Sequence, residues 1–189
     1  MIPTVCDVDD LWNEDQLALL VERKSANERF LVTAYAIPNK LGPVHALSKA
    51  FPWVTFAVHG WEHGQFECLG WTQADAERWV GKALEMGYAP LFKAPNWQMD
   101  EEIEKALVTL GVAAHVHVEY IPKVPGLRYY RGGLTGPDHY WLHTHLTRNP
   151  STDDIFNHVG FHMKNVAKVP TWSTPLDHLE TVTAPPEAA

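Results

Sequence analysis

With 189 residues, 46% of them hydrophobic, the chain can bury one substantial core and has the composition of an ordinary globular protein rather than a disordered one. A formal charge of -8 argues against a broad nucleic-acid-binding surface, though not against a nucleotide in a pocket. Cys6 and Cys68 are too few for a disulfide framework and read as thiols, and no apolar run approaches the roughly 18 residues of a membrane span.

In chain order, Pro3 to Val8 is a short apolar run that reads as a strand meeting the carboxylate pair Asp9-Asp10. Asp10 or Asn13 caps the helix that follows, whose Leu17, Leu20 and Val21 recur at helical spacing. Arg29 to Ile37 is a second strand, closed by Pro38-Asn39, and a short helix from Val44 to Ala50 leads to the third. That third strand, Trp53 to Val58, is rich in Val, Phe and Trp, as in a strand covered on both faces, and ends at His59-Gly60-Trp61-Glu62-His63.

Thr72-Gln73-Ala74-Asp75 opens a helix that Gly87 closes. Leu91 to Lys93 is a short fourth strand, broken by Ala94-Pro95-Asn96-Trp97, and Asp100 to Leu110 a helix stopped by Gly111. Val112 to Val118 is a fifth strand, followed by a loop-rich stretch with a further strand at Leu127 to Tyr130. Tyr140 to Leu146 reads as a strand and Thr152 to Asn165 as a final helix. Residues 1–168 form one domain, and 169–189, rich in Pro, Thr and Ala, read as a disordered tail.

Alternating strands and helices predict an α/β protein of parallel strands with right-handed crossovers. Asp9-Asp10, His59, Lys93 to Trp97 and His143 to His145 all fall at carboxyl ends of strands, which share one rim in a barrel. Asp10, His59 and His63 supply the two imidazoles and one carboxylate that hold a divalent metal while leaving positions for water and a substrate carbonyl. Zinc is the first choice, nickel or cobalt the alternatives. Asp9 is placed to act as general base, with Lys93 holding it by charge. His143 and His145 share one face of their strand, and either serves as the acid. Trp61, Pro95, Asn96 and Trp97 are assigned to the substrate pocket.

From about Thr4 to Arg148 the sequence resembles the polysaccharide deacetylase superfamily, the family 4 carbohydrate esterases with their NodB-type homology domain. The paired Asp matches Asp9-Asp10, His-x-x-x-His matches His59 to His63, and Arg-x-Pro matches Lys93-Ala94-Pro95 with Lys for Arg. The terminal Leu-His motif is similar to Leu142-His143, and this selects His143 over His145 as the acid. The Asp-x-x-Asp-Trp motif has no clear counterpart, with Glu119 a weak substitute, and Leu11 stands where the family has glycine. The resemblance implies an irregular (β/α) barrel with fewer than eight strands and a metal-dependent deacetylase. Its substrate would be a small molecule or oligosaccharide bearing an N-acetyl or O-acetyl group.

Three alternatives stand beside it. His59 to His63 also fits H-x-x-E-H, a zinc peptidase signature that needs both histidines on one helix with Glu62 as base. A barrel that binds sugar without turnover, and an amidohydrolase acting on a non-sugar amide, are the others. His158 and His162 repeat the spacing but lie on an expected helix face without a carboxylate partner, and His45, His115 and His117 read as structural. With no charged-then-apolar leader, the expectation is a cytoplasmic protein with neither nucleic-acid nor membrane partners.

Overall fold

The computed structural model describes the backbone of residues 4–26, 28, 30–117, 119–131, 143–148 and 155–163. Its elements are β1 (Thr4–Leu11), α1 (Leu17–Ala26), β2 (Val32–Ala36), α2 (Pro38–Leu41), α3 (His45–Ala50), β3 (Val54–Val58), α4 (Gln73–Glu85), β4 (Leu91–Lys93), α5 (Glu101–Leu110), β5 (Ala113–Val116), β6 (Tyr129–Arg131), β7 (His143–Arg148) and β8 (Ile155–His162). They form one sheet in the order β6-β5-β4-β3-β2-β1-β8-β7. Strands β1 to β6 pair in parallel with their chain neighbours, and β8 pairs in parallel with the other side of β1. Seven strands therefore run parallel, as expected of an irregular (β/α) barrel, and the edge strands β6 and β7 approach one another.

The C-terminal part departs from the sequence reading twice. Residues Ile155–His162, expected in a helix, form β8, and β7 joins antiparallel to it rather than parallel to the rest. Ile155, Val159 and Met163 satisfy helical spacing, but the ladder along β1, from Thr4↔Asn157 to Asp9↔His162, prevails over that local pattern. Gly160 at its centre also weakens a helix. Residues 169–189, read as a tail, lie outside the described residues. No helix among the described residues is long and apolar enough to cross a membrane.

Strand alternation gives the sheet two unlike faces. Val8, Ala34, Phe56, Val58, Phe92 and Ala114 join the main core with Leu20, Val80, Ala83, Ile103 and Leu107 of the helices. The opposite face carries Asp7, Asp9, Tyr35, Ala57, Lys93 and His115, all buried. Polar side chains in such a place persist only when they pair with one another. Helix termini then fix the loops. Thr72 accepts from Asp75 N–H at the start of α4 while the Asp75 carboxylate accepts from Thr72 N–H, and Asp100 accepts from the Glu102 and Ile103 N–H groups at the start of α5.

Candidate metal centre

Adjacent residues of a regular strand face opposite ways, so Asp9 and Asp10 would not reach one site together. The ladder between β1 and β2 slips between Val8 and Leu11, and Asp10 takes the left-handed conformation with φ 64°. This bulge turns the Asp10 carboxylate onto the rim beside Asp9. β1 thus extends through the carboxylate pair instead of stopping before it.

His59 follows the end of β3 and is buried, and its Nδ1 lies 2.9 Å from the Lys93 carbonyl oxygen. A carbonyl only accepts, so Nδ1 carries the proton and Nε2 is left with its lone pair. That Nε2 is 3.5 Å from Asp10 Oδ1, and His63 Nε2 is 2.9 Å from the same oxygen. The hydrogen bond with Asp10 holds the His63 pKa above the ordinary histidine value, against partial burial. The two imidazoles lie 4.9 Å apart, centroid to centroid.

Between the histidines the chain is a loop, not a helix. Gly60 (φ 64°) and His63 (φ 62°) are left-handed, and Glu62 is exposed, its Oε1 3.3 Å from Asn39 Nδ2. The geometry that the H-x-x-E-H peptidase reading requires is absent. Glu67, which no sequence motif singles out, accepts from the N–H groups of Trp61 (2.7 Å), Glu62 (2.8 Å) and His63 (2.8 Å). A Cβ on Gly60 would stand 2.5 Å from Glu67 Oε2 and 2.8 Å from Pro95 Cγ. Strain and clash together predict that Gly60→Ala costs about 2–4 kcal/mol, measurable by urea unfolding.

Lys93 is buried between two carboxylates. Its Nζ donates to both oxygens of Asp9, at 2.8 and 2.7 Å, and to Asp7 Oδ2 at 3.0 Å. It also lies over the rings of Trp97 (4.3 Å) and Tyr35 (5.1 Å). Burial alone would depress the ammonium's pKa, but Asp7 and Asp9 outweigh it and hold the group charged. Asp7 was not anticipated; its signal was a lone carboxylate two residues before Asp9 in an apolar strand. His115, read as structural, places Nδ1 3.0 Å from the Tyr35 hydroxyl and 4.0 Å from Asp7 Oδ2.

The four residues assigned to the substrate pocket lie in different surroundings. Trp97 is half-buried beside Lys93, and its ring meets that of His115 edge to face at 5.0 Å. Trp61 instead stacks on Trp79 of α4 at 4.8 Å, with the Lys82 ammonium over its ring. Pro95 is buried against Gly60, and Asn96 uses its amide on the Gln65 carbonyl oxygen at 2.9 Å. Glu119 is exposed and set against His117 rather than the site. Cys68 is a buried free thiol whose pKa burial pushes up.

The side chains of His143 and His145 lie outside the described ones, and their backbone places them opposite Gly160 and His158 on β8. That register brings out a residue the sequence reading set aside, because His162 pairs with Asp9 itself.

One carboxylate oxygen and two imidazole nitrogens, from Asp10, His59 and His63, lie within 4.8 Å of one another. Two neutral-capable nitrogens and a carboxylate, one imidazole oriented by a backbone carbonyl, are a donor set that fits a divalent ion such as zinc. No protein-family model and no curated protein matches the sequence. Solved structures do. The family 4 carbohydrate esterase from Streptomyces lividans, in complex with acetate, matches with a TM-score of 0.52 at 14% identity, over 61% of this chain and 62% of its own. A family 4 acetyl xylan esterase from Clostridium thermocellum, in complex with a cobalt ion, gives 0.49 at 10% identity, over 61% and 58%. The chitin deacetylase of the fungus Colletotrichum lindemuthianum gives 0.46 at 14%, over 59% and 53%. The match thus spans less than two thirds of each of these proteins. Over 61% of its length the chain has the fold of a family 4 carbohydrate esterase.

Proposed function

We propose that the chain is a metal-dependent hydrolase that removes an acetyl group, from nitrogen or oxygen, of a sugar derivative. The observation that carries this reading is the convergence of Asp10, His59 and His63 on one point with Asp9 at the same strand end. Asp10, His59 and His63 would hold a divalent ion there, and it would supply Lewis acidity for the acetyl carbonyl and for a water.

The chain's own groups do the rest. Asp9 takes the proton from the attacking water, and Lys93, by donating to both its oxygens, fixes the plane in which that carboxylate is offered. Asp7 keeps Lys93 centred from the other side. Trp97 lies over Lys93 as an apolar wall of the cleft. The leaving nitrogen or oxygen needs a proton, and we assign the donor to the histidines of β7 and β8. His162 comes first because its backbone pairs with Asp9, and His143, opposite Gly160, comes second.

The test is metal content of the purified protein by elemental mass spectrometry, beside His59→Ala, followed by acetate release from N- and O-acetylated sugars. About one equivalent of zinc, nickel or cobalt that disappears in His59→Ala, with acetate released from a member of the panel, is the expected result. No metal after reconstitution overturns the reading. Metal without acetate release from any sugar leaves two readings, a hydrolase of a non-sugar amide and a barrel without turnover, and release of product from a panel of non-sugar amides separates them.

A further inference from the structure

We infer that Glu67 is a positioning residue for metal binding, acting through the backbone of the loop that carries His63. The inference rests on the metal reading above but assigns a role to a residue that binds neither metal nor substrate.

Three consecutive N–H groups, of Trp61, Glu62 and His63, converge on the one Glu67 carboxylate. Such a concave run of amides is an anion site, here filled by the protein's own side chain. Its anion reaches from four residues beyond His63, at the start of the short turn Glu67–Gly70, so the loop closes on itself. Two of the loop's residues, Gly60 and His63, hold positive φ. For glycine that is free, but for histidine it is a conformation kept only where its surroundings impose it. Glu67 imposes it with a charge-assisted bond to the His63 amide itself.

The two imidazoles are thus secured differently. His59 is anchored by its strand and by the Lys93 carbonyl, independently of Glu67. His63 has its Asp10 contact only as long as the loop keeps its shape. Gly60 fits the same account, since any side chain there would displace the Glu67 carboxylate. Without Glu67, three amides lose their acceptor, His63 relaxes toward ordinary φ, and the donor set falls from three to two.

The experiment is zinc titration of the metal-free protein by calorimetry, together with thermal unfolding of the same metal-free samples, for wild type, Glu67→Gln, Glu67→Asp and Glu104→Gln. Glu104 is the control, because its buried carboxylate likewise accepts backbone amides, from Lys123 and Val124, but in another loop. Glu67→Gln is expected to lower zinc affinity on the order of 10- to 100-fold, the range seen when groups that orient metal ligands are removed. Glu104→Gln is expected to lose thermal stability and keep wild-type affinity. Glu67→Asp retains the charge but shortens the reach, and is expected to lose affinity too. Wild-type affinity in Glu67→Asp or in Glu67→Gln overturns the inference while leaving the metal site standing, as does an equal affinity loss in Glu104→Gln. Absence of zinc binding by the wild type overturns the metal reading and this inference with it. If Glu67→Gln does not fold, Glu67→Asp alone decides.

Discussion

Asp9→Asn is expected to keep its metal and lose turnover by about 10²- to 10⁴-fold, the contribution of a positioned general base. The substitution preserves size and leaves one oxygen that can still accept from Lys93, where Asp9 offers two. What it removes is the capacity to take a proton from water. Asp10, the neighbour that the β1 bulge turns onto the rim, is untouched, and zinc content should remain at that of the wild type. Steady-state acetate release and elemental analysis on one preparation separate the two roles proposed for the carboxylate pair. An active Asp9→Asn enzyme would remove Asp9 as the base, and loss of metal in the same variant would place it among the ligands.

Lys93→Met should unfold more easily by about 3–5 kcal/mol at pH 7, because it leaves two buried carboxylates without their shared cation. Methionine fills much of the lysine's volume, so the loss reports charge rather than a cavity. Its pH dependence follows from the raised pKa of Lys93. A basic group whose pKa is higher folded than unfolded contributes its full stability below the unfolded value, about 10.4 for lysine, and loses it as pH rises through the folded value. The gap between wild type and variant should hold constant up to about pH 10 and shrink above it. Urea unfolding from pH 7 to 11.5 reads this directly. Adding Asp7→Asn to Lys93→Met should restore part of the loss, and strict additivity of the two changes would mean that the groups do not act as a cluster.

The parts legible in the sequence were those with local signatures. The apolar run into His59, the Thr72 cap and the stops at Gly87 and Gly111 each sit within a few residues of their cause. The triad Asp10, His59 and His63 was legible because strand ends in a parallel sheet share a rim. Asp7 escaped notice because β1 was read as an apolar stretch, although its alternation with Asp9 puts both on the inward face. Glu67 left no trace because it acts on backbone amides, which every residue carries. Residues 155–162 were misjudged because their apolar spacing suits a helix as well as a strand. The deciding partner, β1, lies at the far end of the chain.

That last pairing has a bearing on synthesis. Of the described strands β1 comes first in the chain, and of its two sheet neighbours one, β2, follows at once while the other, β8, is the last. In a nascent chain lacking residues 155–162, one edge of β1 would show bare amides and carbonyls to any passing strand. Closure across so long a span is slow, and it leaves the chain prone to mispairing until β8 docks. Aggregation during expression, more than instability once folded, is the hazard this strand order builds in.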